Sequence, residues 1–313
     1  MSDRRSLDAT AISSLTLLSF LWGLQQVVVK LTAPYVSLVM QCGIRSLLAA
    51  VLVILWARAR GIPLADRDGT LGPGLLAGFL FSLEFFFVYA GLGHTAASRM
   101  VVFLYLAPPL TALGLAWFVP GERLNPRQWF GILVSFVGVM LAFSEGFFAA
   151  RASTWIGDGF GLLAAIGWAA TTVVVRGTSL ARASAAKTLL YQVGAAGVLL
   201  VIVSRLIGEP GIVTVTPGVV ASIVYQGAIV AFASFLVWFW LLTRYYAARM
   251  AAFSFLTPLF GVLAGVIVLG EPLTPSFVIA AALVACGIAL VNLGGRSKTV
   301  AAVVPAPVSS ESG

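Results

Sequence analysis

Charge is what this chain has least of. Asp, Glu, Lys and Arg supply only 10% of its 313 residues, while 60% are hydrophobic. Soluble domains carry about 25% charged residues, so a soluble core is excluded as the home of this sequence. Chemically versatile side chains are just as scarce. There is one histidine, His94, and the two cysteines, Cys42 and Cys286, both fall inside apolar runs, so no disulfide framework is expected. No His/Cys/Asp group has metal-ligand spacing, and there is no P-loop or nucleotide-binding segment. A membrane protease or acyltransferase would need paired catalytic residues, and the acidic residue within a span stands alone. The expectation is a protein that is not an enzyme, with no cofactor and no metal.

What the chain has instead is length of apolar sequence. A membrane-crossing helix takes about 20 residues. Ten runs qualify, over 11–29, 36–57, 73–93, 96–119, 127–144, 157–176, 186–206, 217–242, 247–269 and 275–294. The fold class expected is therefore an all-α integral membrane protein, and no room is left for a soluble catalytic domain. The first run lacks a clear small-residue cleavage site and reads as an uncleaved span. Residues 1–10 and 295–313, the latter rich in Ala, Val, Pro and Ser, read as short disordered tails.

The net charge of +8 does not point to nucleic acid, because the basic residues are sorted by side. With the N-terminus inside, Arg4, Arg5, Arg58, Arg60, Arg67, Arg123, Arg127 and most of the later ones face the cytoplasm. Lys30, Arg99, Arg151 and Arg205 face out, and Arg45 sits within a span. That bias predicts that both termini are cytoplasmic.

The chain also repeats itself. Trp22-Gly-Leu-Gln-Gln-Val-Val-Val-Lys30 returns as Trp168-Ala-Ala-Thr-Thr-Val-Val-Val-Arg176. Arg99-Met100, Phe103, Leu106 and Pro108 return as Arg249-Met250, Phe253, Leu256 and Pro258. Gly121-Glu122-Arg-Leu-Asn-Pro126 returns as Gly270-Glu271-Pro-Leu-Thr-Pro275. The period is about 150 residues and holds five spans, so the copies, 11–146 and 157–294, must cross the bilayer in opposite senses, an arrangement typical of alternating-access carriers.

The second half of each copy carries a further pattern: a mid-helix proline (Pro108-Pro109; Pro258), a Gly-Glu pair before a short loop (Gly121-Glu122; Gly270-Glu271), then a glycine-containing helix (Gly131, Gly138; Gly287). With ten spans, this resembles the EamA-type transporters of the drug/metabolite transporter superfamily. The run from Glu84 to Met100 looks like bacterial members, which would place the chain in an inner membrane. The resemblance implies a central cavity lined mainly by helices 1, 3, 4, 6, 8 and 9. Helices 5 and 10 would lie at the periphery, near a dimer contact in some members. It also implies export of small metabolites, with proton coupling in some cases. It leaves the substrate open among amino acids, their derivatives, other metabolites and drugs.

Glu84 is the sharpest candidate residue, the one acid in the middle of a span. A carboxylate there costs about 2.5–3.5 kcal/mol on insertion scales. Desolvation disfavours the charged form, which would suit a proton carrier. Arg45 offers a static alternative. Both residues lie roughly 13 Å below the outer boundary at 1.5 Å per residue, so an ion pair is within reach. Neither residue is repeated in the other half, where Ser234 and Tyr191 stand instead.

Trp22 and Trp168 sit deeper than the other tryptophans, which lie near span ends where interfacial anchoring is the default, and cavity lining is the reading preferred for this pair over packing. Gln25 and Gln26 follow Trp22 where Thr171-Thr172 follow Trp168, and an amide in hydrocarbon needs a partner. Tyr105, Tyr191, Gln192, Tyr225 and Gln226 are candidates of the same kind, or interhelical hydrogen bonds. Lys30 and Arg99 flank the expected outer mouth and Arg176 and Arg249 the inner one, either snorkelling to headgroups or attracting an anion. Pro108 and Pro258 predict kinks that could serve as gating bends. Glu122 and Glu271 are expected to cap the helices that follow them. His94 reads as a solvated loop residue.

These readings converge on an alternating-access carrier of small, amino-acid-like or related amphipathic metabolites, working as an exporter, with protons as a candidate coupling ion. Its partners would be the substrate and the lipid bilayer, with no nucleic acid, and a homodimer is left open. A passive channel and a lipid or polyprenyl translocase are the alternatives.

Overall fold

A computed structural model describes residues 6–92, 94, 97–144, 155–269 and 275–293. The two tails, His94's immediate neighbours and the Gly270-Glu271 turn fall outside that set. Ten helical spans follow one another: α1 Ala9–Thr32, α2 Leu38–Ala59, α3 Leu71–Leu92, α4 in two pieces (Ala97–Leu104 and Ala107–Phe118) and α5 Pro126–Ala142. The second half continues with α6 Trp155–Gly177, α7 Ala185–Leu206, α8 Pro217–Leu242, α9 in two pieces (Ala247–Phe253 and Leu256–Leu269) and α10 Pro275–Leu293. Among the described residues, nine are long and apolar enough to cross a membrane, and α5 is the shorter tenth, with 17 residues.

Helix starts are set by polar residues where the sequence supplies them. Asp8 accepts from Ala11 N at 2.8 Å, and Asn125 and Gln128 form a reciprocal capping box at α5. Ser184 and Thr216 cap α7 and α8 in the same way. The start of α2 has no cap of its own. There the Glu209 carboxylate, reaching over from the α7–α8 connection, accepts from Val39 N and Met40 N at 3.2 and 3.1 Å. A negative group at a helix N-terminus also complements the helix dipole.

The two prolines act as the sequence predicts. Pro108 and Pro258 lack the N–H that would bond back one turn, and the helices part just before them, at Tyr105-Leu106 and Ser254-Phe255. One irregularity has no proline behind it. Residues Tyr225–Ser234 of α8 wind as a π-helix, a wide form that often accompanies functional sites.

The pairing of helices reveals the inverted repeat. α2 packs on α7 and α5 on α10, each against its own counterpart in the other half. The α1–α9 contact is matched by α6–α4, and α3–α6 by α8–α1. Small residues permit these approaches. A Cβ on Gly131 of α5 would stand 2.6 Å from the Gly287 carbonyl oxygen of α10, closer than atoms pack. Gln128 Nε2 donates to the Val291 carbonyl and Ser135 Oγ to that of Val284 across the same seam. The opposite face of α5 exposes Phe130, Leu133, Val137 and Met140 at helical spacing, a stripe suited to lipid.

Candidate functional site

A cavity of about 140 Å³ lies at the centre of the bundle. The lining comes from α1, α3, α4, α6, α8 and α9, as the resemblance implies, with Arg45 of α2 and Gln192 of α7 added; α5 and α10 contribute nothing to it. Its wall is mostly apolar and rich in aromatic rings, including Trp22, Tyr105, Trp168, Phe235 and Trp238. Polar groups among these rings are few: Gln25, Arg45, Glu84, Thr171, Thr172, Gln192 and Thr257. An apolar chamber with a few convergent polar groups is the usual form of a small-molecule site.

Glu84 and Arg45 both face this chamber, yet they do not form an ion pair within 4.0 Å. Glu84 is held where it is by packing. Its backbone meets Gly167 of α6, where an added Cβ would come within 3.4 Å of the Glu84 Cα. Arg45 is 1% exposed. Its Nη2 lies 3.5 Å from Cys42 Sγ, a weak contact, and its guanidinium carbon stands 4.7 Å from the centre of the Phe85 ring. Arg45 Nε and Nη1 have no hydrogen-bond partner among the described residues. The chamber thus holds an acid and a base that no short ion pair joins.

Trp22 is fixed by contacts the sequence did not announce. Its Nε1–H donates to Ser234 Oγ at 2.8 Å, and its ring meets Phe235 and Trp238 edge-on at 5.8 and 5.4 Å. Ser234 is the repeat counterpart of Glu84, and Trp22 that of Trp168. The two related pairs therefore straddle the two equivalent seams, α1–α8 and α6–α3. Trp168 meets the Tyr105 ring edge-on at 6.1 Å. Trp238 reads from sequence as an interfacial anchor, but it is buried and lines the cavity. The signal available was its place one turn beyond Ser234 on the same helix face.

Other candidates fall elsewhere. Gln226 is fully buried in the π-helical stretch and donates to Gln41 Oε1 at 3.2 Å and Ser222 Oγ at 3.0 Å, outside the cavity lining. Tyr225 OH donates to the Leu21 carbonyl. These bonds, with one between Thr32 and Ser222, tie α8 to α1 and α2. Pro108 and Pro258 adjoin Tyr105 and Thr257, so both helix breaks open beside the chamber. The side chains of Gln26 and Arg99 lie outside the described residues.

The charges expected to flank the mouths behave differently from one another. Lys30 is exposed at the end of α1. Arg249 is buried, with its guanidinium 5.2 Å from the Tyr246 ring centre. Arg176 is neither a snorkelling nor a solvated charge. It pairs with Glu122 while both are out of solvent, and it also donates to the carbonyls of Leu242 and Tyr245. Glu122 does not cap the helix after it, which Asn125 does, but accepts from Ala247 N at the start of α9. Tyr245 OH donates to Asp8 at the start of α1, at 2.7 Å. One cluster therefore ties together α1, the α4–α5 turn, α6 and the α8–α9 turn. It sits directly beneath Val175 and Leu242 of the cavity wall.

Against this geometry, the model of the EamA-like transporter family matches residues 9–144 and again 155–293, one match to each five-helix repeat. The chain belongs to the EamA-like transporter family. A Bacillus subtilis protein named "uncharacterized transporter YvbV" is 26% identical over 291 residues, 92% of this chain and 93% of its own. A Salmonella typhimurium protein named "probable amino-acid metabolite efflux pump" is 25% identical over 289 residues, 90% of this chain and 94% of its own. A solved crystal structure, 20% identical, superposes with a TM-score of 0.78 over 92% of this chain and 99% of its own, which establishes the shared fold. This EamA-like protein is thus a multi-pass membrane transporter.

Proposed function

We propose that this transporter exports small amphipathic metabolites, amino-acid-like in kind, by alternating access, with protons moving the other way through Glu84. The end bearing the N-terminus is cytoplasmic in this reading. The observation that carries it is the buried Glu122–Arg176 cluster lying against one end of a central chamber. A carrier needs a seal at one end that can be exchanged for a seal at the other. The sequence equivalents of Arg176 and Glu122 in the inverted repeat are Lys30 and Glu271, so the opposite end carries the same charge types. The efflux-pump names of relatives from Salmonella typhimurium and Escherichia coli support the direction and the substrate class.

Glu84 suits the coupling role because it faces the chamber with no ion pair within 4.0 Å among the described residues. A carboxyl in such a site gains and loses a proton according to which side it faces and what shares the chamber. Reconstituted Glu84→Gln protein should exchange substrate yet fail to build a gradient under an imposed pH difference. Full uphill transport by Glu84→Gln, with unchanged pH dependence, would remove the coupling role.

A further inference from the structure

Among the described residues that line the chamber, Arg45 is the charged group left unsatisfied, and the Thr257 hydroxyl is the other buried polar atom without a partner. A guanidinium cannot shed its charge within a protein, so a buried one needs an anion or a full set of acceptors. Here two of its three nitrogens, Nε and Nη1, have no acceptor, Cys42 Sγ is a weak one, and no carboxylate lies within 4.0 Å among the described residues. The Phe85 ring covers part of the cation but offers no hydrogen bond. Arg45 also lines the chamber, so whatever enters is presented to it.

Resting on the carrier reading above, we propose that Arg45 is the anchor for a substrate carboxylate. A carboxylate matches the planar fork of a guanidinium and accepts two parallel bonds from it. The rest of the ligand then faces the aromatic wall of Trp22, Trp168 and Trp238. A cavity near 150 Å³ admits a benzene-sized group, so the chamber of about 140 Å³ fits a small carboxylate that is benzene-sized as a whole. Because Arg45 has no equivalent in the second repeat, where Tyr191 stands, the ligand would bind in one orientation rather than two.

The test compares 3-methylbutanoate with 3-methylbutanamide, which share shape and differ in charge, binding to the purified full-length protein in detergent. The acid should bind at least about tenfold more tightly than the amide, the range of a charge-assisted pair. Arg45→Gln should erase that preference and Arg45→Lys keep part of it. Equal binding of acid and amide by the wild type overturns the proposal, as does no binding of the acid at millimolar concentration. So does a preference that survives in Arg45→Gln. The wild-type comparison stands even if Arg45→Gln does not fold. A failed carrier reading would show instead as absent counterflow in liposomes, whatever the acid–amide ratio.

Discussion

Replacing Glu122 with Gln removes the charge that neutralises Arg176 while preserving shape. The two side chains are 0% and 2% exposed, so water offers no substitute in the sealed state. Breaking one partner of a buried pair costs about 3–5 kcal/mol, because the other charge is left uncompensated. In a form with this end open, water reaches Arg176 and most of that cost disappears. The variant therefore shifts the balance toward opening by about 3 kcal/mol or more, which is upward of a hundredfold at 1.4 kcal/mol per decade. The amide keeps an oxygen for the Ala247 N–H, so the start of α9 is spared. A cysteine at Leu242, in a background with Cys42 and Cys286 replaced, reports the opening through labelling by an impermeant maleimide. In inside-out vesicles the labelling rate should rise by at least about tenfold in Glu122→Gln. The double variant Glu122→Gln/Arg176→Gln should lose less stability than the sum of the single ones, since the residues are coupled. An unchanged labelling rate and additive stability losses would refute the reasoning, showing that the pair is not what seals this end.

Other consequences can be checked alongside. Trp22→Phe keeps the ring near Phe235 and Trp238 but loses the bond to Ser234, so substrate affinity should fall by roughly tenfold or less with membrane abundance unchanged; loss of abundance alone would mean packing. Gly131→Leu forces side-chain atoms against the Gly287 carbonyl and should lower stability by about 1–3 kcal/mol, read as reduced thermal retention in detergent. Asp68 is held down to about 2 by bonds from Thr70 and Lys187, so its contribution is complete above the ordinary carboxylate range and is lost only as pH falls toward 2. Transport measured from pH 5 to 8 should therefore have the same pH profile in Asp68→Asn, and an altered profile would contradict this.

Much of the architecture was legible because the bilayer imposes it. Apolar runs of membrane length and the Trp22/Trp168 and Pro108/Pro258 repeats lead directly to ten inverted helices. The helix breaks were legible too, since proline's missing donor acts locally. What stayed hidden depended on contacts between distant segments. Glu122 reads as a cap for its own helix because Arg176 and Ala247 are far away in sequence, and only the fold brings them together. Trp238 reads as an anchor because depth along a helix does not reveal which side faces a cavity. Rise per residue puts Arg45 and Glu84 at a common depth, but depth says nothing of lateral spacing, and the two do not pair within 4.0 Å. The π-helical stretch of α8 holds Gly227 but no proline, and a single glycine does not mark it in a chain with 32 of them.

The most direct test of the carrier account is counterflow in liposomes loaded with members of a panel of amino acids and related metabolites. Saturable exchange of labelled for unlabelled substrate, driven uphill by an imposed pH difference in wild type, is the predicted result. Non-saturable flux with measurable conductance would contradict it and identify a passive pore in the same fold.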